Sequence, residues 1–185
     1  VRDHLGQHHR YAHSVRVARL SDTLAQRHGE DSGRARVAGM LHDLARLYAP
    51  ERLLAECTAR GMPIDGFERR HPIVLHARLG AELASELFDI EDVAVLDAIR
   101  RHTLAAPGMT RLDAIVYLAD GLEPGRIFGE RETLARLAFL DLEAAMNAVL
   151  RSSIAYLGAR NLEAAPQTLA ALAGYERLER RPLSA

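Results

Sequence analysis

The chain has 185 residues, 48% of them hydrophobic and 26% charged, with a formal net charge of −1. That length suits one domain with a core of useful size, and the balanced charge excludes a general nucleic-acid binder, which needs a basic excess. All 24 basic side chains are Arg, which excludes a Schiff-base or P-loop lysine, and a single cysteine, Cys57, excludes an internal disulfide or a cysteine-based zinc site.

In chain order the apolar spacing is helical nearly throughout. Arg10 to His28 carries Val17, Leu20 and Leu24 three and four apart, with Gly29 as a stop. Asp31-Ser32 caps a second helix predicted to place Val37, Leu41, Leu44 and Tyr48 on one face, ending before Pro50. Pro50 opens a third helix reaching Gly61, and Gly61 to Pro72 reads as a loop. Pro72 to Phe88 and Glu91 to His102 follow as helices with apolar stripes. Ala105 to Gly108 is a turn; Thr110 with Asp113 forms a capping-box signature for a helix to about Asp120. Gly121 to Gly129 reads as loop, Asp141 to Leu157 as a long helix closed by Gly158, and Pro166 to Glu179 as the last helix. Arg180 to Ala185 reads as a frayed tail. Val93 to Ile99 could pass for a strand, but the Ala- and Leu-rich surroundings favour helix, so the expectation is one all-α helical bundle. No apolar run approaches the roughly 18 residues of a membrane span and no signal-peptide pattern is visible, so a reducing cytoplasm is the expected compartment.

The informative residues are polar ones on apolar faces. His13 continues the stripe of Val17, Leu20 and Leu24; His76 starts that of Leu79, Leu83 and Leu87. His102 ends the stripe of Val95, Ala98 and Ile99, and Asp120 that of Leu112 and Val116. His42 and Asp43 interrupt the apolar run from Met40 to Leu44. Spacings of three and four share a helix face, so these six groups are predicted to point inward. An unpartnered buried polar group costs about 1–3 kcal/mol, and a domain is stable by only about 5–15 kcal/mol. The six must therefore satisfy one another, meet water in a cleft, or ligate a cation. His13, His42, Asp43 and Asp120 make a mixed nitrogen and oxygen set that suits iron, manganese, zinc or nickel; a mutually satisfied polar cluster is the other reading. His4, His8 and His9 read as solvated, His28 as a cation at a helix end, and His71 as loop. Among the arginines bracketing these positions, Arg100 and Arg101 include at least one surface residue, whereas Arg126, in a Gly/Pro loop after Asp120, is the better candidate for ligand contact.

In the order His13, His42-Asp43, Asp120 the chain resembles the HD-domain metal-dependent phosphohydrolases, and more closely the YqeK family of symmetrical diadenosine tetraphosphate hydrolases. The matching stretches include Arg10 to Val15, Leu41 to Ala45, Leu75 to Ala77, Ala98 to Thr103, Pro107 to Thr110 and Tyr117 to Arg126. The resemblance implies an HD-type domain over residues 1–170, with 171–185 as helix end and tail. It implies that His13, His42, Asp43 and Asp120 hold iron or a similar divalent or trivalent ion. It places His76 and His102 across the pocket, on the substrate phosphates or at a second metal position. Arg10 and Arg126 would bind polyphosphate, with Thr103 nearby and Thr168 in the nucleotide pocket. The chain departs from the family pattern at Arg78, Ala106, Gly121 and Gln167, none of them a proposed ligand.

The implied reaction is central cleavage of diadenosine tetraphosphate to two ADP by a metal-activated water. Asp43 would ligate and orient that water, and His76 or His102 would protonate the leaving ADP. The implied partner is a small nucleotide, with neither nucleic acid nor membrane, and a homodimer is compatible with it. Two alternatives stand beside this: another HD-type hydrolase acting on a deoxynucleotide, guanosine polyphosphate or cyclic nucleotide, and a non-catalytic helical module that senses nucleotides.

Overall fold

In the computed structural model, which describes residues 1–179, every regular element among the described residues is helical. A short α1 (Arg2–Leu5) leads into α2 (His8–His28), which stops at Gly29. There φ is +72° and the Gly29 N–H donates to the Ala25 carbonyl, a left-handed cap open to glycine. Then α3 (Ser32–Leu41) starts at Asp31, whose carboxylate accepts from the Arg34 N–H. The predicted second helix was to reach Tyr48, but it ends at Leu41. From there the chain tightens into turns with i to i−3 hydrogen bonds: Leu44 to Leu41, Arg46 to Asp43 and Tyr48 to Ala45. Leu41 and Leu44 stay buried, so the apolar pattern was right about burial and wrong about helical continuity.

Next come α4 (Pro50–Ala59) and α5 (Gly66–Arg70), the latter inside the span expected to be loop. It exists because Asp65 and Glu68 form a reciprocal capping box. A 3-10 turn at Pro72–Val74 precedes α6 (Leu75–Phe88), and α7 (Val93–Arg101) follows, helical as expected. The Thr110 and Asp113 capping box opens α8 (Arg111–Leu122), two residues longer than predicted. Its residues from Leu112 to Ala119 are all buried, as fits a helix surrounded by others. It packs against α2, α3, α7 and α10. An unforeseen α9 (Arg131–Leu140) buries Leu134 and Ala138, one turn apart. Asp141 then caps α10 (Leu142–Gly158), and α11 (Pro166–Glu179) closes the described chain against α10. Ala171 of α11 is buried. The tail from Arg180 to Ala185 lies outside the described residues.

Helices α2 and α3 approach each other closely at Gly39. A Cβ built on Gly39 would lie 2.9 Å from Ser21 Oγ and 3.0 Å from the Ala18 Cα. That contact sets the end of α3, and hence His42, against His13 of α2.

Candidate metal centre and phosphate pocket

Each candidate histidine is fixed by its own local backbone. His42 directs Nδ1 to the Gly39 carbonyl at 2.7 Å, His76 to Ile73 at 2.5 Å and His102 to Ile99 at 2.7 Å. A carbonyl only accepts, so Nδ1 carries the hydrogen in all three and Nε2 is left as the free nitrogen. His13 sits on α2 with Nδ1 3.1 Å from Glu123 Oε1, which assigns it the same tautomer.

The free nitrogens converge. His13 Nε2 lies 3.3 Å from His42 Nε2 and 3.0 Å from Asp120 Oδ1. His42 Nε2 is 3.6 Å from Asp43 Oδ2 and 3.7 Å from Asp120 Oδ1, and His13 Nε2 is 3.9 Å from Asp43 Oδ2. On the other side of Asp43, His76 Nε2 is 3.4 Å and His102 Nε2 3.9 Å from Oδ1, with the two nitrogens 3.2 Å apart. Two imidazole nitrogens that have both spent their hydrogen on Nδ1 repel at such distances. They coexist only with a cation between them, a proton or a metal ion. The six groups therefore form two adjoining donor sets with Asp43 between, and the choice of His and carboxylate ligands fits a transition ion.

Electrostatics follow the same geometry. Burial raises the pKa of Asp43, but the neighbouring His42, His76 and His102 outweigh it and hold the carboxyl well below its usual range. Burial also raises that of Asp120, and the His13 hydrogen bond, followed by His42, His102 and Arg126, brings it far down. His13 moves upward: burial lowers it, yet Asp120 and Glu123 prevail. His102 is pushed down to about 3 by burial and then by its imidazole neighbours, so its ring is neutral.

The donor sets floor a cavity of about 340 Å³ lined by Arg10, Asp43, Arg46, His76, His102, Thr103, Asp120 and Arg126 among others. Thr103 Oγ1 lies 3.1 Å from His102 Nε2 and 3.2 Å from His76 Nε2. Arg10 approaches Asp43 Oδ2 at 3.5 Å, and its Nε is buried with no hydrogen-bond partner. Arg126 donates from Nη2 to Asp120 Oδ1 and from Nε to the Asp120 carbonyl, so it steadies the Asp120 carboxylate.

Not every expected residue comes to this cavity. Thr168 is drawn away: its hydroxyl donates to the Leu104 carbonyl at 2.8 Å, beside Gln167 bonded to the Ala105 carbonyl, fastening α11 to the turn behind Thr103. Arg78 is held by Glu68 at 2.6 Å. Both Arg100 and Arg101 face carboxylates, Arg100 on Asp97 and Glu82, Arg101 on Asp97 and Asp113. His4, exposed as expected, also bonds the Leu44 carbonyl at 2.9 Å, and His28 bonds that of Ala138 at 2.7 Å. Sequence reasoning missed three contributors. Glu123 orients His13 and is itself gripped by Arg16 and the Gly125 N–H; Arg46 lines the pocket. Glu123, Arg16 and Arg46 each follow a candidate ligand by three residues, the same-face spacing that found the candidates themselves.

Residues 10–125 match the family described as HD domain. The chain belongs to the HD-domain family. It is 34% identical over 160 residues to a Bacillus subtilis protein named symmetrical bis(5′-nucleosyl)-tetraphosphatase, with 86% of each chain covered. A relative of the same name from Halalkalibacterium halodurans is 34% identical over 174 residues, 92% of this chain and 90% of its own. A crystal structure from Clostridium acetobutylicum, of a predicted HD superfamily hydrolase involved in NAD metabolism, superposes with a TM-score of 0.92 at 32% identity, covering 96% of this chain and 93% of that one. HD-domain hydrolases bind divalent metals, and the HD domain here carries His and Asp groups that could hold one. No helix among its described residues is long and apolar enough to cross a membrane.

Proposed function

We propose that the protein hydrolyses diadenosine tetraphosphate at its central phosphoanhydride, releasing two ADP. The observation that carries this is the convergence of four Nδ1-tethered imidazoles on Asp43 and Asp120 at the floor of an arginine-lined cavity. The relatives named symmetrical bis(5′-nucleosyl)-tetraphosphatase, similar over most of their length, supply the substrate. His13, His42, Asp43 and Asp120 are the residues to hold an ion, with iron the first choice and manganese, zinc or nickel compatible with the same donors. An ion bound there supplies an acidified water and a Lewis acid for a phosphoryl oxygen.

The remaining work falls to this chain's own side chains. Asp43, its two oxygens turned to opposite donor sets, orients the attacking water. Arg10, Arg46 and Arg126 neutralise the tetraphosphate, and the Thr103 hydroxyl donates to a phosphate oxygen. His76 presents only Nε2 to the pocket, 3.2 Å from that of neutral His102, and is the group to deliver a proton to the leaving ADP. The same pair, with Asp43 Oδ1, is the alternative seat for a second ion.

The test joins metal analysis of the purified protein with chromatography of the products from diadenosine tetraphosphate. ADP as sole nucleotide product supports the reading. AMP with ATP, or turnover that survives in His42→Ala or Asp43→Ala, rejects it.

A further inference from the structure

A second cavity, of about 720 Å³, opens beyond Asp120. Gly121, Arg126, Val149 and Ser153 line both it and the metal pocket, so the two chambers adjoin along these residues. Their chemistry differs. The first holds the carboxylates, imidazoles and arginines already described. The second is walled by Ile127, Phe128, Leu134, Tyr156 and Leu157, and Arg126, at the shared boundary, is its one charged side chain among the described residues. Ile127 is 98% exposed, Phe128 43% and Tyr156 56%, an apolar patch left to solvent beside a polar catalytic pocket. Exposed apolar patches occur at ligand grooves and at contact surfaces, and the volume here lies within the roughly 300–1,000 Å³ of small-molecule sites.

The shape of the substrate says what belongs there. A dinucleoside tetraphosphate cut at its centre places its charged middle over the donor sets and must send each uncharged nucleoside outward. The metal pocket, about 340 Å³, is too confined for the whole molecule. At the junction stands Gly121, on α8 directly after the ligand Asp120, and a Cβ built on it meets nothing within 4 Å. The position faces open space where the two chambers adjoin, and a long side chain there would project into it.

We propose that this second chamber is the seat of one purine nucleoside of the substrate. Gly121 stands at its open boundary, Phe128 and Tyr156 are stacking walls, and the Ser152 hydroxyl, whose hydrogen goes to Glu130 Oε2 at 3.4 Å, is an acceptor for the nucleoside edge. The Tyr156 ring is already steadied by the Arg160 guanidinium, 3.7 Å from its centroid. This assignment rests on the reading under Proposed function and adds to it the determinant for two nucleosides over one.

The experiment compares kcat/KM of the metal-loaded protein for diadenosine tetraphosphate and for adenosine 5′-tetraphosphate, which lacks the second nucleoside. Base stacking on aromatic side chains predicts about a tenfold or greater preference for the dinucleotide. Tyr156→Ala and Gly121→Leu should each reduce that preference toward unity, with circular dichroism checking the fold. A preference unchanged in both variants overturns the chamber assignment while leaving the hydrolase reading intact. If neither substrate is turned over, the hydrolase reading fails instead, and calorimetric titration with ADP decides the chamber. Binding by the unmodified protein that Gly121→Leu abolishes sustains the assignment; equal binding, or none, overturns it.

Discussion

Glu123 Oε1 accepts the Nδ1 hydrogen of His13 at 3.1 Å, placing a buried carboxylate directly behind an imidazole that faces the donor cluster. Arg16 and the Gly125 N–H hold Glu123 in turn. The chain of contacts fixes the His13 tautomer and raises its basicity as a ligand. Glu123→Gln should therefore weaken metal affinity or turnover by about 10- to 100-fold while leaving the helical fold in place. Chelator competition and circular dichroism on one preparation check it. Unchanged affinity and unchanged turnover would mean that Glu123 serves packing alone.

The same carboxylate makes an acid-stability prediction. Burial raises its pKa, but Arg16, the Gly125 N–H and His13 overcome that and bring it from 4.5 to about 2. A depressed folded-state pKa contributes stability that is present above the unfolded value and lost as pH falls through the folded one. The stability gap between the unmodified protein and Glu123→Gln should thus be level between about pH 5 and pH 6. It should close between roughly 4.5 and 2. Urea denaturation at pH 6, 4 and 3 measures the gap, and one that widens on acidification contradicts the assignment.

Metal affinity should itself depend on pH. Without an ion, His13 holds a proton above its ordinary value, because Asp120 and Glu123 outweigh the cost of burial. Ion binding must displace that proton, so the apparent affinity falls as pH drops below the raised pKa, by up to about tenfold per unit. Chelator competition at pH 6 and pH 8 is the measurement, with tighter binding expected at pH 8. Adding a chelator at neutral pH should also lower the melting temperature, since the bound ion stabilises the folded form alone.

Gly39→Ala is predicted to destabilise despite the better helix propensity of alanine. Its methyl would press on the Ala18 backbone and Ser21 Oγ, and a backbone neighbour has little room to yield. Overpacking of this kind costs about 1–3 kcal/mol, against a propensity gain of about 1 kcal/mol. Because the Gly39 carbonyl also tethers His42, turnover should fall with stability. Urea titration and activity assays together test this, and a stabilised, fully active variant would refute it.

The helical class and the inward histidines were legible because both follow from residue spacing. His13, His42, Asp43 and Asp120 each interrupt an apolar stripe, and all four meet in space. The break after Leu41 was not legible, since the apolar residues Leu44 and Tyr48 keep helical spacing through turns bonded at i−3. Helix α9 escaped notice because Leu134 and Ala138 give it only a narrow buried stripe. Thr168 misled: its position near the end of the chain carries no sign that the Leu104 carbonyl would claim its hydroxyl. Glu123, Arg16 and Arg46 were readable in principle, for an i+3 search from each ligand finds all three.

His42 and His102 stand at the C-terminal ends of α3 and α7, and each returns a hydrogen bond to a carbonyl in the last turn of its own helix. The last carbonyls of a helix lack a partner four residues on, so each ring adds a bond there, beside the His102 N–H that the Ile99 carbonyl also accepts. The chemistry and the architecture are thus soldered at the same two imidazoles. Selection cannot trim either ring for a milder reactivity without also fraying the rod that carries it, by about 1 kcal/mol for each lost bond. Under the proposed function, drift at these two places is penalised twice over, in turnover and in the integrity of the scaffold.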